Sequence, residues 1–134
     1  MGYRWFDAHD ETPLAEFGAG LSYTTFRFSA LAAAAVAVSC TVTNTGAVAG
    51  REVAQLYLGF PAAAGEPPKL LRGFEKTALL APSESVVLRF DLTERDLSTY
   101  DVVAAAWVKQ RGVFKVFVGS SSRRLPLTGS FTVA

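Results

Sequence analysis

The sequence has little of what most site chemistry requires. Among its 134 residues there is one cysteine, Cys40, and one histidine, His9. A single cysteine excludes an internal disulfide and any zinc site built from several thiolates. A single histidine excludes a multi-histidine metal centre. An excess of charge of one sign is missing too, because 13 Lys and Arg against 12 Asp and Glu leave +1. That balance gives no electrostatic footprint for a nucleic acid or an acidic membrane surface. The most apolar stretch, Ala30 to Val38, is nine residues long, against the ~20 needed to span a bilayer. It has no basic segment before it and does not read as a signal peptide. The one asparagine, Asn44, is followed by Thr45-Gly46, so no glycosylation sequon is present.

What remains is a chain able to build a core. Half of it is apolar and 19% charged, which argues against disorder. Its length suits one domain. No segment longer than ten residues keeps apolar side chains at helical spacing, whereas alternation recurs. Val36, Val38, Cys40 and Val42 alternate with Ala37, Ser39, Thr41 and Thr43. Val86, Leu88, Phe90 and Leu92 do the same, as do Phe114, Val116 and Val118. Each reads as a half-buried strand with these residues inward, Cys40 acting as a small inert hydrophobe. From Val53 to Leu58 apolar residues point both ways, with Val53 and Tyr57 opposite Ala54, Leu56 and Leu58. That pattern predicts a central strand covered on both faces.

Turn chemistry separates these runs at intervals of about ten residues, as in a sandwich. Strands are expected at 24–28, 36–45, 51–59, 70–80, 85–92, 101–109, 113–119 and 125–133, with one helical turn at 93–97 capped by Thr93. The fold class is all-β, a two-sheet antiparallel β-sandwich. The first 28 residues fit it poorly, since they hold seven of the 16 aromatics. This irregular aromatic N-terminal arm must pack on something, either the sandwich or a neighbour.

Candidate chemistry is thin. Asp7, His9, Asp10 and Glu11 cluster, but without the spacing of a calcium loop, and they read as a solvated turn with no metal site. Glu52, Glu75, Asp91 and Asp101 lie beside strands, yet nothing pairs two of them as glycoside hydrolysis requires. Ser120-Ser121-Ser122-Arg123-Arg124 can bind an anion, but a polar hairpin loop accounts for it. Trp5 and Trp107 are candidate sugar platforms, though tryptophan is commoner in cores and interfaces. No nucleophile elbow or phosphate loop is present. No catalytic residue, metal or cofactor is assigned.

Six segments together point further. Gly2 to Asp7 reads GYRWFD, Pro13 to Phe26 PLAEFGAGLSYTTF and Val42 to Gly46 VTNTG. Gly50 to Leu58 reads GREVAQLYL, Lys69 to Lys76 KLLRGFEK and Gly119 to Arg124 GSSSRR. In this order they resemble the C-terminal end of the family 3 glycoside hydrolases, the β-glucosidase and β-xylosidase group. The resemblance implies an immunoglobulin/fibronectin type III-like sandwich over 24–134, preceded over 1–23 by a strap leaving an upstream α/β domain. The family's nucleophilic aspartate and its acid/base glutamate lie in the upstream domains, so neither is carried onto this chain. The short loop from Phe60 to Lys69 departs from fungal members with long insertions there.

The implied role is a non-catalytic accessory domain that stabilises and positions the catalytic domains of a retaining β-glycosidase. Its partners are those domains in cis, with no nucleic acid and no membrane, and the exposed arm offers a surface for self-association. A periplasmic or secreted parent is favoured over a cytoplasmic one. The other reading is a module that binds plant polysaccharide or lignin. Tyr3, Trp5, Phe17, Tyr23, Tyr57, Arg72 and Phe74 are the expected domain interface. If the arm instead folds over the domain's own sheet, those aromatics serve the fold.

Overall fold

Alternation decides the centre of the molecule. The computed structural model describes residues 2–134, so Met1, the first residue of the expected strap, lies outside the described residues. Strand β2 (Ala37–Asn44) buries every second residue, Val38, Cys40, Val42 and Asn44. It lies between β1 (Phe26–Ala34) and β5 (Ser85–Asp91), antiparallel to both. Across the β2–β5 ladder, Val38 faces Phe90, Cys40 faces Leu88 and Val42 faces Val86. The second sheet has the order β4 (Leu70–Lys76), β3 (Val53–Gly59), β8 (Gly112–Gly119) and β9 (Leu127–Val133), also antiparallel. Ala54, Leu56 and Leu58 of β3 meet Phe114, Val116 and Val118 of β8 in one core with Val38, Cys40 and Val42. The expected core is therefore present, except that Val86, Leu88 and Leu92 are half-buried at its margin and Val36, expected inward, lies before the strand and is 70% exposed.

Three expectations about strands need correction. The strand expected at 24–28 starts at Phe26 and runs through the alanine stretch to Ala34. A register shift between Ser29 and Ala32, with Ala30 at φ 52°, marks a bulge in it. Such a bulge takes up an extra residue without a helix or a break. The strand expected at 70–80 ends at Lys76. There the Thr77 hydroxyl accepts the Glu52 amide at 3.1 Å, replacing a ladder bond, and Leu80 keeps only a single bridge to Gly50. The strand expected at 101–109 is instead a separate hairpin, β6 (Ser98–Asp101) and β7 (Ala106–Lys109). Its turn contains neither glycine nor proline. The Asp101 carboxylate accepts the amides of Val103 and Ala104 at 2.8 and 3.0 Å and supplies the turn itself. These bonds hold Asp101 below the usual carboxylate range.

The turn at 93–97 is a single 3-10 turn, Arg95–Leu97, in which the Asp96 carboxylate accepts from both the amide and the hydroxyl of Thr93. The arm is not wholly irregular, since Tyr3–Ala8 form a short helix, α1. Six residues are too few for helical periodicity to register, yet Tyr3, Phe6 and Asp7, at i, i+3 and i+4, are its three less exposed residues.

One polar side chain organises the sandwich edge. Asn44 is fully buried. Its carbonyl accepts from the Thr24 hydroxyl at 2.7 Å and the Gly46 amide at 3.0 Å. Its amide donates to the carbonyls of Val48 and Leu80 at 2.8 and 2.9 Å. All four hydrogen-bonding positions are used. Asn44→Ala should lower unfolding free energy by about 3 kcal/mol, because it strands several buried partners at once. Urea unfolding of the purified variant measures this, and a loss under about 1 kcal/mol contradicts the assignment.

Candidate interdomain interface

The two-faced strand creates the site. Ala54, Leu56 and Leu58 enter the core, so Gln55 and Tyr57 point to the other face of the sheet. Tyr57 is nevertheless fully buried there, because the arm lies over it. The Tyr3 ring meets Tyr57 edge-on at 5.6 Å and stacks on Phe17 at 4.9 Å. The Tyr3 hydroxyl accepts the Leu71 amide of β4 at 2.8 Å. The Tyr57 hydroxyl donates to the Gln55 side-chain oxygen at 2.6 Å, and the Gln55 amide donates to the carbonyls of Gly18 and Ser120. Burial pushes the Tyr57 phenol above its usual range, with Tyr3 and Asp7 adding to the shift. Gly18 has φ 77°, and a Cβ there would press on the Gln55 side-chain amide. The left-handed backbone favours glycine, and a side chain there would also displace Gln55 from its hydrogen bonds.

Charge fixes the same arm. Asp7, its side chain only 6% exposed, sits 2.7 Å from Lys69 Nζ and 3.6 Å from an Arg123 nitrogen. Arg123 also donates to the Glu11 carbonyl, and the Ser122 amide donates to the Phe17 carbonyl at 2.8 Å. The Ser121 hydroxyl donates to Glu16, whose carboxylate lies 3.8 Å from Arg124. The Ser120–Arg124 loop is thus the receptor for the arm. The reading of Asp7 as part of a solvated turn is corrected, since only His9, Asp10 and Glu11 of that cluster stay exposed. Among the described residues, no group of three or more His, Cys, Asp or Glu is placed to hold a metal ion. Cys40 is buried in the core, which pushes its thiol up to about 11.

The seven expected interface residues divide. Tyr3, Phe17 and Tyr57 come together within the chain. Arg72 also turns inward: its Nε donates to the Asp96 carbonyl at 2.9 Å, and its guanidinium lies 5.1 Å over the Phe60 ring. Burial lowers its pKa, with Asp96 opposing and Arg4 reinforcing the shift. A Cβ on Gly73 would come within 3.2 Å of Phe90, so the close approach there is internal. Trp5, Tyr23 and Phe74 remain exposed, and Phe17, though stacked on Tyr3, is itself 47% exposed. One face of each tryptophan is occupied, by His9 on Trp5 at 4.4 Å and by Arg95 on Trp107 at 3.3 Å. Sequence reasoning missed Asp7, Lys69, Arg123, Glu16, Ser121 and Gln55. Adjacent charges had masked Asp7, while the uncharged Gln55 inside a strong strand pattern was the available signal.

Beyond Gln55 the outer face continues to Val53, the floor of an open cleft of about 640 Å³ roofed by Gly18–Ser22. Arg51, Glu52, Lys76 and Arg124 line it. Glu52 accepts the Val53 amide at 2.8 Å. Burial raises its carboxyl above the ordinary value, with that bond opposing.

The architecture matches a known family. The family model of the fibronectin type III-like domain (Fn3-like) matches residues 52–122. The chain belongs to that family. "Probable beta-glucosidase L" of Aspergillus terreus is 47% identical over 157 aligned positions, covering 99% of this chain and 21% of the relative. The β-D-glucoside glucohydrolase of Trichoderma reesei superposes with a TM-score of 0.92 at 39% identity, over 98% of this chain and 22% of that one. The GH3 β-glucosidase of Bifidobacterium adolescentis gives 0.90 at 34% identity, over 99% and 20%. The chain spans about a fifth of the length of these relatives, and the match takes in the arm as well as the fibronectin type III-like sandwich. The 157 aligned positions exceed the 134 residues here, so the Aspergillus relative carries additional residues.

Two outcomes follow from this geometry. Asp7→Ala should lower unfolding free energy by about 2 kcal/mol or more, since Lys69 loses its partner in a largely buried site. A double-mutant cycle with Lys69→Ala measures the coupling, and additive losses would contradict it. Glu52 bears on pH. Its folded-state pKa lies above the ordinary 4.5, so its contribution is fully present below that value and is lost as pH rises through the folded value. Glu52→Gln should therefore gain melting temperature relative to the parent chain on going from pH 4 to pH 7. A constant difference would contradict the shift.

Proposed function

We propose that this chain is the non-catalytic accessory domain of a retaining β-glycosidase of family 3, and that it stabilises and positions the catalytic domains. The observation that carries the reading is the lopsided coverage: relatives named β-glucosidases match 99% of this chain with only 21% of their own length. Retaining hydrolysis needs two carboxyl groups about 5–5.5 Å apart, and no residue of this domain is assigned to that work. Residues 1–23 serve as the strap from an α/β domain, and 24–134 form the sandwich. The pinned arm supports this reading. A strap fixed to the sandwich by Asp7 and the Tyr3–Phe17–Tyr57 stack transmits position, where a solvated linker would not. Tyr3, Tyr57 and Arg72 hold the strap and its sheet from within, while Trp5, Tyr23, Phe74 and the exposed side of Phe17 meet the neighbour.

Trp5→Ala and Phe74→Ala, made in the full-length glycosidase and in the 134-residue chain, test this. Each should lower the melting temperature of the full-length enzyme while leaving this chain nearly unchanged, whereas Arg72→Ala should destabilise both. Interfacial aromatics typically contribute about 2 kcal/mol, enough to resolve. Equal losses in both forms for Trp5→Ala would assign the arm to the domain alone. Retention of the chain on cellulose, xylan or lignin would move the assignment to polymer binding.

A further inference from the structure

The cleft beside the strap is unlike the rest of the surface. The chain as a whole is nearly neutral at +1, yet three cations, Arg51, Lys76 and Arg124, line this cleft against one carboxylate, Glu52. Their charges are poorly matched from within. Lys76 is in no ion pair among the described residues, and Arg51 reaches only the Thr77 carbonyl, at 3.3 Å. Arg124 is 75% exposed, with Glu16 at 3.8 Å. The rim is apolar in the same place: Leu21 lines the cleft and Tyr23 follows two residues on, both fully exposed. Three cations with so little neutralising charge, beside fully exposed apolar side chains, describe a protein-docking surface. A solvated loop has no use for the second feature.

We infer that this cleft seats an acidic segment of the glycosidase portion, its carboxylates meeting Lys76, Arg124 and Arg51 and its apolar flank meeting Leu21 and Tyr23. The inference rests on the accessory-domain reading above and adds a second contact to the outward aromatics. Lys76 is placed for it by the ladder, because it pairs across with Val53, the cleft floor. Gly18–Ser22 is held as a roof by the Gln55 bond to the Gly18 carbonyl. The cleft is thus continuous with the strap's own anchorage, and an occupant would lock strap and sheet together.

The probe is a blocked hexaglutamate peptide, titrated into the 134-residue chain at low salt and followed by backbone amide NMR. Shifts should concentrate at 18–22, Lys76 and Arg124, and weaken as salt is added. Blocked hexalysine should produce none there. Lys76→Gln with Arg124→Gln should weaken the apparent affinity tenfold or more with amide dispersion retained, and Lys76→Arg should keep it. Shifts centred elsewhere, no shifts, or indifference to the double variant would overturn the inference. A second measurement separates it from the accessory reading: association of this chain with the separately produced remainder of the glycosidase. If they associate and Lys76→Glu changes nothing, the cleft inference fails and the accessory reading stands. If they do not associate in any form, the accessory reading fails and the cleft inference fails with it.

Discussion

Tyr57 points away from the core of the sandwich and still has to be dry, and much of the chain is arranged around that requirement. Burying an aromatic ring of this size is worth about 1.5–3 kcal/mol, but only if its hydroxyl is satisfied. Gln55, two residues back on the same face, accepts that hydrogen bond at 2.6 Å. The Gln55 amide then needs carbonyls, and it finds them at Gly18 on the arm and Ser120 on the β8–β9 loop. A side chain at residue 18 would both strain its left-handed backbone and displace Gln55 from these bonds. A single outward tyrosine thereby specifies the strand, the loop and the path of the arm.

The arm's charges work alongside this stack. Asp7 and Lys69 are both largely withdrawn from water, where an ion pair gives orientation more surely than stability. The apolar rings Tyr3 and Phe17 can slide against a sheet. A carboxylate between Lys69 and Arg123 cannot, so the aromatic contacts are held in one register. At the end of β2 Asn44 does comparable work with a neutral group, tying the start of β1 to the turns after β2 and before β5 through four hydrogen bonds.

The proposed accessory role draws on what these arrangements leave over. Tyr57 and Asn44 face inward, and the outward remainder is aromatic at Trp5, Phe17, Tyr23 and Phe74 and cationic at the cleft. The hairpin β6–β7 adds an exposed ladder, Tyr100 against Trp107 at 5.5 Å, with Arg95 covering one indole face. Such a surface is consistent with the proposed docking against neighbouring domains.

Period-two alternation was sufficient for β2, β5 and β8 and for the inward side chains of each, because burial on one face leaves its mark every second residue. The two-faced pattern at Val53–Leu58 was equally legible and implied a cover, though not its identity. Resemblance over the arm and the KLLRGFEK segment carried the family. Other features depended on partners distant in sequence. The hairpin turn at 102–105 rests on one aspartate with no glycine or proline to mark it. Asp7 reads as solvated until Lys69 and Arg123 are brought to it from 62 and 116 residues away. The division of the expected interface, with Tyr57 and Arg72 inside and Trp5, Tyr23 and Phe74 outside, has the same origin. Local sequence determines which side chains must leave water, through hydration and strand geometry. Only the tertiary structure decides which surface covers them, because that depends on long-range contacts whose register no local pattern encodes.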